Sequence, residues 1–120
     1  MLNLDTHILL HALTGSLRPA EETVLRSASW SISAIVLWEI SKLFQLGRIS
    51  MGLDDPDFAQ VIERLHVWPI DLDVCRALAQ LDFTSDPADE IIAATSLVHG
   101  VPLVTRDGVL RASRRVPLAL

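Results

Sequence analysis

Short apolar runs alternate along this chain with segments of helical periodicity, and that alternation restricts the fold more than any single motif does. Leu2 and Leu4 read as a first strand closed by Asp5, and Ile8 to Leu13 continue as an apolar helix stopped near Gly15. The next helix begins Pro19-Ala20-Glu21-Glu22, with proline and acids in the turn where free amides and the helix dipole favour them. Trp30 to Ser33 reads as the second strand, and Ser33 is placed to cap a helix that runs to about Gly47. Asp54 to Asp57 is a polar, proline-bearing connection, followed by amphipathic Phe58 to Leu65, a β-branched run Val67 to Ile70 interrupted by Pro69, and a helix from Leu72 to Leu81. After a loop at Asp82 to Ser85, Asp86-Pro87-Ala88-Asp89 opens a helix with an N-cap acid, proline at the first position and an acid at the third. That helix runs Ile91 to Val98 with almost no polar face, which predicts burial on several sides, and ends at Gly100. Leu103 to Thr105 forms a short strand, Asp107-Gly108 turns the chain, and Val116 to Leu120 is left as an edge strand. Such a succession predicts an α/β protein: a parallel sheet covered by helices on both faces.

The 120 residues suit one domain, 1–120, with a core that needs neither disulfide nor structural metal. Half of them are apolar and the mean hydropathy is +0.37, which predicts a deeply buried sheet or an adhesive partner surface rather than disorder. No apolar run reaches membrane-spanning length, and the N-terminal apolar stretch carries Asp5 and no positive charge before it, so cytoplasmic residence is the expectation. Cys75 is the only cysteine, read as a core or helix residue, and no Cys/His cluster offers a zinc site. The net charge of −5 opposes nucleic-acid binding in bulk. Charge is unevenly spread, however: residues 100–120 hold four arginines against Asp107 alone.

Four acids stand where such a sheet would collect a ligand, outside the carboxyl ends of its strands. Asp5 and Asp107 each close a strand; each also has a local reading, as helix cap and as turn residue. Glu39 sits among Ile35, Val36, Ile40 and Leu43, on the stripe that should face the core, where an ionised group needs a partner or a metal. Its local alternative is a pair with Lys42 at i+3. Asp89 shares a face with Ile92 and Ala93, and capping by Asp86 and Asp89 is its competing explanation. Glu90 is expected to face outward or toward a partner. If the four converge, a close pair of carboxylates repels by about 4 kcal/mol at an effective dielectric of 20, which calls for protonation or a divalent cation. Hard oxygen donors without thiolate or clustered imidazole favour Mg²⁺ or Mn²⁺, and metal-assisted phosphodiester hydrolysis is the natural chemistry. His7, His11, His66 and His99 are not spaced as ligands, and Trp30, Trp38 and Trp68 are read as core.

Several stretches together resemble the PIN-domain family, in particular the VapC toxins of bacterial toxin–antitoxin pairs. They are Leu4-Asp5-Thr6-His7; Ser33-Ala34 through Leu37-Trp38-Glu39-Ile40-Ser41-Lys42 to Leu46-Gly47-Arg48; Asp86-Pro87-Ala88-Asp89 with Ile92-Ala93-Ala94-Thr95; and Leu103-Val104-Thr105-Arg106-Asp107. The resemblance covers essentially the whole chain. It implies a three-layer α/β/α fold with a parallel sheet ordered 3-2-1-4-5, and Mg²⁺- or Mn²⁺-dependent endoribonuclease activity on cellular RNA. It also implies homodimers, and inhibition by an antitoxin whose C-terminal segment fills the groove. Asp5, Glu39, Asp89 and Asp107 become the acidic quartet, with Asp86, Thr6 and Thr105 as supporting groups. Many relatives carry His-Arg before the Asp-Pro and Arg after the second Asp, where Thr84-Ser85 and Glu90 stand here. Phosphate contact then falls to Lys42, Arg48, Arg106, Arg111, Arg114 and Arg115. Two other classes compete: a receiver-like Mg²⁺-binding signalling domain, and a catalytically silent module that keeps the acidic pocket as a partner surface.

Overall fold

The computed structural model describes all residues, 1–120, as four strands and seven helices. The strands are β1 (Leu2–Leu4), β2 (Trp30–Ser33), β3 (His66–Trp68) and β4 (Leu103–Val104), all parallel, in the order β3-β2-β1-β4. Every residue of β1 is buried, as expected of a central strand covered on both faces. The chain leaves β1 toward β2 on one side and returns as β4 on the other, so the strand order reverses at the carboxyl ends of β1 and β4. A crevice opens there by topology alone.

The expected fifth strand is reduced to one parallel bridge, Leu103 to Leu118, beyond β4. Leu103 donates to Pro117 O at 2.8 Å and Ala119 donates back to Leu103 O at 2.9 Å. Pro117 has no N–H to extend the ladder and Val116 is buried in the core, so the pairing stops at one residue. The spatial order is the one expected, with the last position too short to count as a strand.

The helices are α1 (Thr6–Thr14), α2 (Pro19–Arg26), α3 (Ala34–Gln45), α4 (Pro56–Glu63), α5 (Leu72–Ala77, continued by a 3₁₀ turn over Leu78–Gln80), α6 (Pro87–His99) and α7 (Gly108–Arg111). The start of α4 falls in the stretch read as a connection, because Asp55 caps Asp57 N–H at 3.0 Å and Pro56 takes the first helical position. The turn read at Asp107-Gly108 is also the start of α7. Gly15 and Gly100 end α1 and α6 at φ +71° and +64°, a conformation that side chains resist.

The main core joins Leu2, Leu4, Ile8, Leu9, Ile32, Val36, Ile40, Phe58, Ile92 and Leu110, and a smaller cluster of Val74, Ala77 and Ala94 seats α5 on α6. Residues Ile92 to Ser96 of α6 are all buried, as its missing polar face predicts. Asn3, in the centre of β1, fastens that helix to the sheet: its amide donates to Ile92 O at 3.1 Å and to Ser96 Oγ at 2.9 Å.

One expectation is corrected: Trp38 is 55 % exposed, because its place on α3 points away from the stripe formed by Val36 and Ile40. Cys75, read as a core or helix residue, is the latter: it lies on α5 and is exposed. Trp30 is half-buried and donates its indole N–H to Leu25 O, whereas Trp68 is half-buried against the stacked ring of His99 and the edge of His66.

Candidate active site

Asp5, Glu39, Asp89 and Asp107 line one cavity of about 400 Å³ together with Asp86, His7, His11 and Arg106, and no apolar residue takes part in the wall. The cavity is the crevice at the carboxyl ends of β1 and β4. A larger depression of about 540 Å³, between the end of α3 and residues 50–55, contains none of the four acids.

Each acid arrives on a different element. Asp5 follows β1 and is 4 % exposed. One of its oxygens accepts the Thr6 N–H at 2.7 Å as the cap of α1, and the other accepts the Thr105 hydroxyl at 2.6 Å. Cap and site are therefore one residue with two oxygens in two uses. Thr105 also accepts the Asp107 N–H at 3.0 Å, so a single hydroxyl after β4 bonds the carboxylate of one strand-end acid and the backbone of the other. Asp107 caps α7 through Oδ1, which accepts the N–H groups of Val109 and Leu110. Glu39 reaches in from α3 and accepts the buried Thr6 hydroxyl. Its alternative pairing is not formed: Lys42 lies exposed and donates to Gln45 at 3.3 Å.

At the start of α6 the capping explanation fails for Asp86. It occupies the N-cap position but its side chain makes no cap hydrogen bond, and it faces the cavity. Ser85 bonds the other acids of that first turn, donating its hydroxyl to Asp89 Oδ2 at 3.1 Å and its N–H to Glu90 Oε2 at 3.1 Å. Glu90 is thus half-buried and folded back on its own helix start, not turned outward.

The pKa values of two of these carboxylates are shifted by burial and by the charge of their neighbours. Burial pushes the Glu39 pKa up, the Thr6 hydroxyl opposes that, and the charges of Asp5 and Asp89 push it further up. Asp89 is likewise raised by burial and then by Asp5, with Asp107 and Asp86 adding to it and Ser85 opposing. No three of these acid or imidazole groups are drawn together into a ready coordination shell. The donor set nevertheless fits a hard divalent cation: five carboxylates line one cavity, two of them with their charged form disfavoured by burial and then by their neighbours' charge.

Among the cations named from sequence, only Arg106 reaches the cavity, and it is already engaged. Its Nε and Nη2 donate to the two oxygens of Glu21 at 2.8 and 2.7 Å, Nη1 donates to His11 Nε2 at 3.0 Å, and Nη2 also donates to Ser16 O at 3.1 Å. Arginine has no acceptor, so His11 is neutral with its proton on Nδ1. Burial, with the Arg106 charge second, holds the imidazole pKa low. Hydrogen bonds from Arg106 bring the Glu21 carboxyl down to about 2. Lys42, Arg48, Arg111, Arg114 and Arg115 are exposed and line none of the cavity. Sequence reasoning passed over Glu21 and the two cavity histidines. The signal for the latter was their i, i+4 spacing, which places His7 and His11 on one face of α1 opposite buried Ile8 and Leu9.

A small parallel α/β domain with an acid-lined crevice at its strand reversal defines a class of fold, and comparison with known proteins narrows it. Residues 3–115 match the PIN domain, and the chain belongs to that family. Within it the chain is 30 % identical over 98 residues to Ribonuclease VapC22 of Mycobacterium tuberculosis, an alignment covering 79 % of this chain and 75 % of that one. The fold is similar to VapBC2 from Rickettsia felis bound to a promoter DNA fragment, with TM-score 0.74, 17 % identity, and 98 % of this chain and 97 % of that one covered. It is also similar to FitAcB from Neisseria gonorrhoeae, with TM-score 0.69, 22 % identity, and 98 % and 96 % covered. The receiver-like alternative fails against this membership.

Proposed function

We propose that the chain is a VapC-type toxin, an endoribonuclease that hydrolyses phosphodiester bonds in cellular RNA with Mg²⁺ or Mn²⁺ and is restrained by a cognate antitoxin. The observation that carries the reading is the arrival of Asp5, Glu39, Asp89 and Asp107, from four separate elements, in one cavity with no apolar lining. The 30 % identity to a ribonuclease of this family supports the reaction class.

Asp5, Glu39, Asp89 and Asp107 would hold the cation, with Asp86 at the rim. When bound, it would polarise the scissile phosphate and stabilise the negative charge that develops on its oxygens. The protein's own contribution is orientation: Thr105 fixes Asp5, the Val109 and Leu110 amides fix Asp107, Thr6 fixes Glu39, and Ser85 fixes Asp89, so that the carboxylates need little reordering. Glu39 and Asp89, with raised proton affinity, are the groups suited to take the proton of an attacking water.

Exposed Trp38, Phe44 and Leu46 on and after α3, with Leu53 nearby in sequence, supply apolar surface for an antitoxin or a second copy of the chain, and homodimers in the cytoplasm are part of the proposal. No helix is long and apolar enough to cross a membrane. The test is incubation with structured RNA with and without Mg²⁺ or Mn²⁺. Cleavage should appear with metal and vanish in EDTA and in Asp5→Asn and Asp89→Asn; cleavage that survives these changes refutes the nuclease.

One observation favours a second reading. Arg106 is tied to Glu21 and Glu90 is an acid, so the cavity offers no free guanidinium for phosphate. A silent module that uses the cavity to bind a partner fits that. Tight antitoxin binding with neither metal affinity nor cleavage would select it.

A further inference from the structure

Arg106 is the only arginine or lysine in the cavity wall, and it stands between Thr105 and Asp107, the residues that build the acid cluster at the end of β4. A long cationic side chain placed there would by Coulomb attraction turn toward Asp107, Asp5 and Asp89. It does not. Glu21 of α2 is 4 % exposed and takes two of its donors in a bidentate pair, the geometry in which a guanidinium binds a carboxylate most tightly. The remaining Glu21 valence is also used, since Oε1 accepts the Arg18 N–H at 2.8 Å at the start of α2. His11 and the Ser16 carbonyl complete the cradle from α1 and the turn after it. Three groups from α1, α2 and their connection thus hold one guanidinium against the cavity's edge through four hydrogen bonds.

We propose that Glu21 is a positioning residue that withholds Arg106 from the acidic cavity, keeping the carboxylates free for a divalent cation. The inference rests on the metal-dependent reading above. Its physical content is a competition: an unrestrained guanidinium beside five carboxylates is an internal counter-ion, and it would fill electrostatically the place the divalent ion needs. A role limited to stability makes a different prediction, because every loss of the Glu21–Arg106 pair would then act in the same direction.

The test is Mn²⁺ affinity, measured by electron paramagnetic resonance on the full chain, for wild type, Glu21→Gln, Arg106→Gln and the double variant. Glu21→Gln should bind Mn²⁺ at least about tenfold more weakly, since a released unit charge in a partly dry site opposes a divalent ion. Adding Arg106→Gln should restore affinity to within about threefold of wild type, because the competitor is gone. Unchanged affinity in Glu21→Gln, or a double variant no tighter than Glu21→Gln, overturns the proposal while leaving the metal site standing. If wild type itself binds no Mn²⁺, the metal-dependent reading falls and this inference with it. Should Glu21→Gln not fold, Glu21→Asp, which keeps the charge one methylene short, should show a partial loss that Arg106→Gln reverses; affinity equal to wild type there overturns the proposal as well.

Discussion

Replacing Asp89 by asparagine should make the metal-free protein more stable and the metal-loaded protein relatively less so. Asp89 is half-buried at the first turn of α6, and its pKa is raised by burial, by Asp5, and by Asp107 and Asp86. Two unit charges repel by about 4 kcal/mol at 4 Å and about 2 kcal/mol at 8 Å when the effective dielectric is 20. Partial solvation of the cavity reduces that, leaving about 1–2 kcal/mol to be released by neutralising one member. Asparagine is isosteric and its Oδ1 can still accept the Ser85 hydroxyl, so no hydrogen bond is lost with the charge. In EDTA the variant should therefore melt about 3–8 °C above wild type. At a Mg²⁺ concentration about 100 times Kd, wild type gains about 2.7 kcal/mol, and a variant lacking one ligand gains much less, which reverses or closes the gap. Differential scanning calorimetry with and without Mg²⁺ reads both numbers. An asparagine variant that melts below wild type in EDTA, or that gains as much from Mg²⁺, refutes the idea that this carboxylate is held for a cation.

Other substitutions probe the supports. Thr105→Val removes the hydroxyl shared by Asp5 and Asp107 and should lower Mn²⁺ affinity or RNA cleavage by about 10–100-fold; a wild-type titration would deny Thr105 its orienting part. Asn3→Ala deletes the tie between β1 and α6 and leaves Ser96 in a buried place with one partner fewer, so urea unfolding should show a loss of about 1–3 kcal/mol. In chelator, stability should follow pH in two opposed limbs. Glu39 and Asp89 have folded pKa values above their unfolded ones, so their penalty is complete above the raised values and fades as pH falls toward the ordinary carboxylate range near 4. Glu21 has the opposite sign: its stabilisation is present above its ordinary 4.5 and is lost as pH falls toward about 2. His11, held low, opposes the first limb by taking stability away as pH falls below its ordinary 6.5. The gain is therefore read in urea melts as the part of the mild-acid response that Glu39→Gln and Asp89→Asn remove, and Glu21→Gln should flatten the fall below about pH 4.

The elements legible in advance were those whose signals are local. Strand runs bounded by polar residues, Pro87 opening α6 and Gly100 closing it, and the acids at strand ends are all properties of adjacent residues. The convergence of four acids was legible because a parallel sheet has only one place where its strand order reverses. Trp38 was misplaced because α3 carries apolar residues around most of its circumference, and periodicity cannot choose which of them faces out. The partners of Arg106 were hidden for another reason. His11, Ser16 and Glu21 are 85 to 95 residues away in sequence, and no local signal at Arg106 says that the fold brings a carboxylate to it. Asp86 was legible both as the N-cap position and as a supporting group, but sequence could not show that its side chain makes no cap hydrogen bond and lines the cavity instead.

The most direct measurement is the position of Mn²⁺ located by anomalous diffraction from crystals of the protein soaked in that ion. Density should lie inside the cavity, reached directly or through one water by Asp5, Glu39, Asp89 and Asp107, with Arg106 still on Glu21. An ion found only elsewhere, or a cavity whose acids leave soaked Mn²⁺ unbound, would contradict the account.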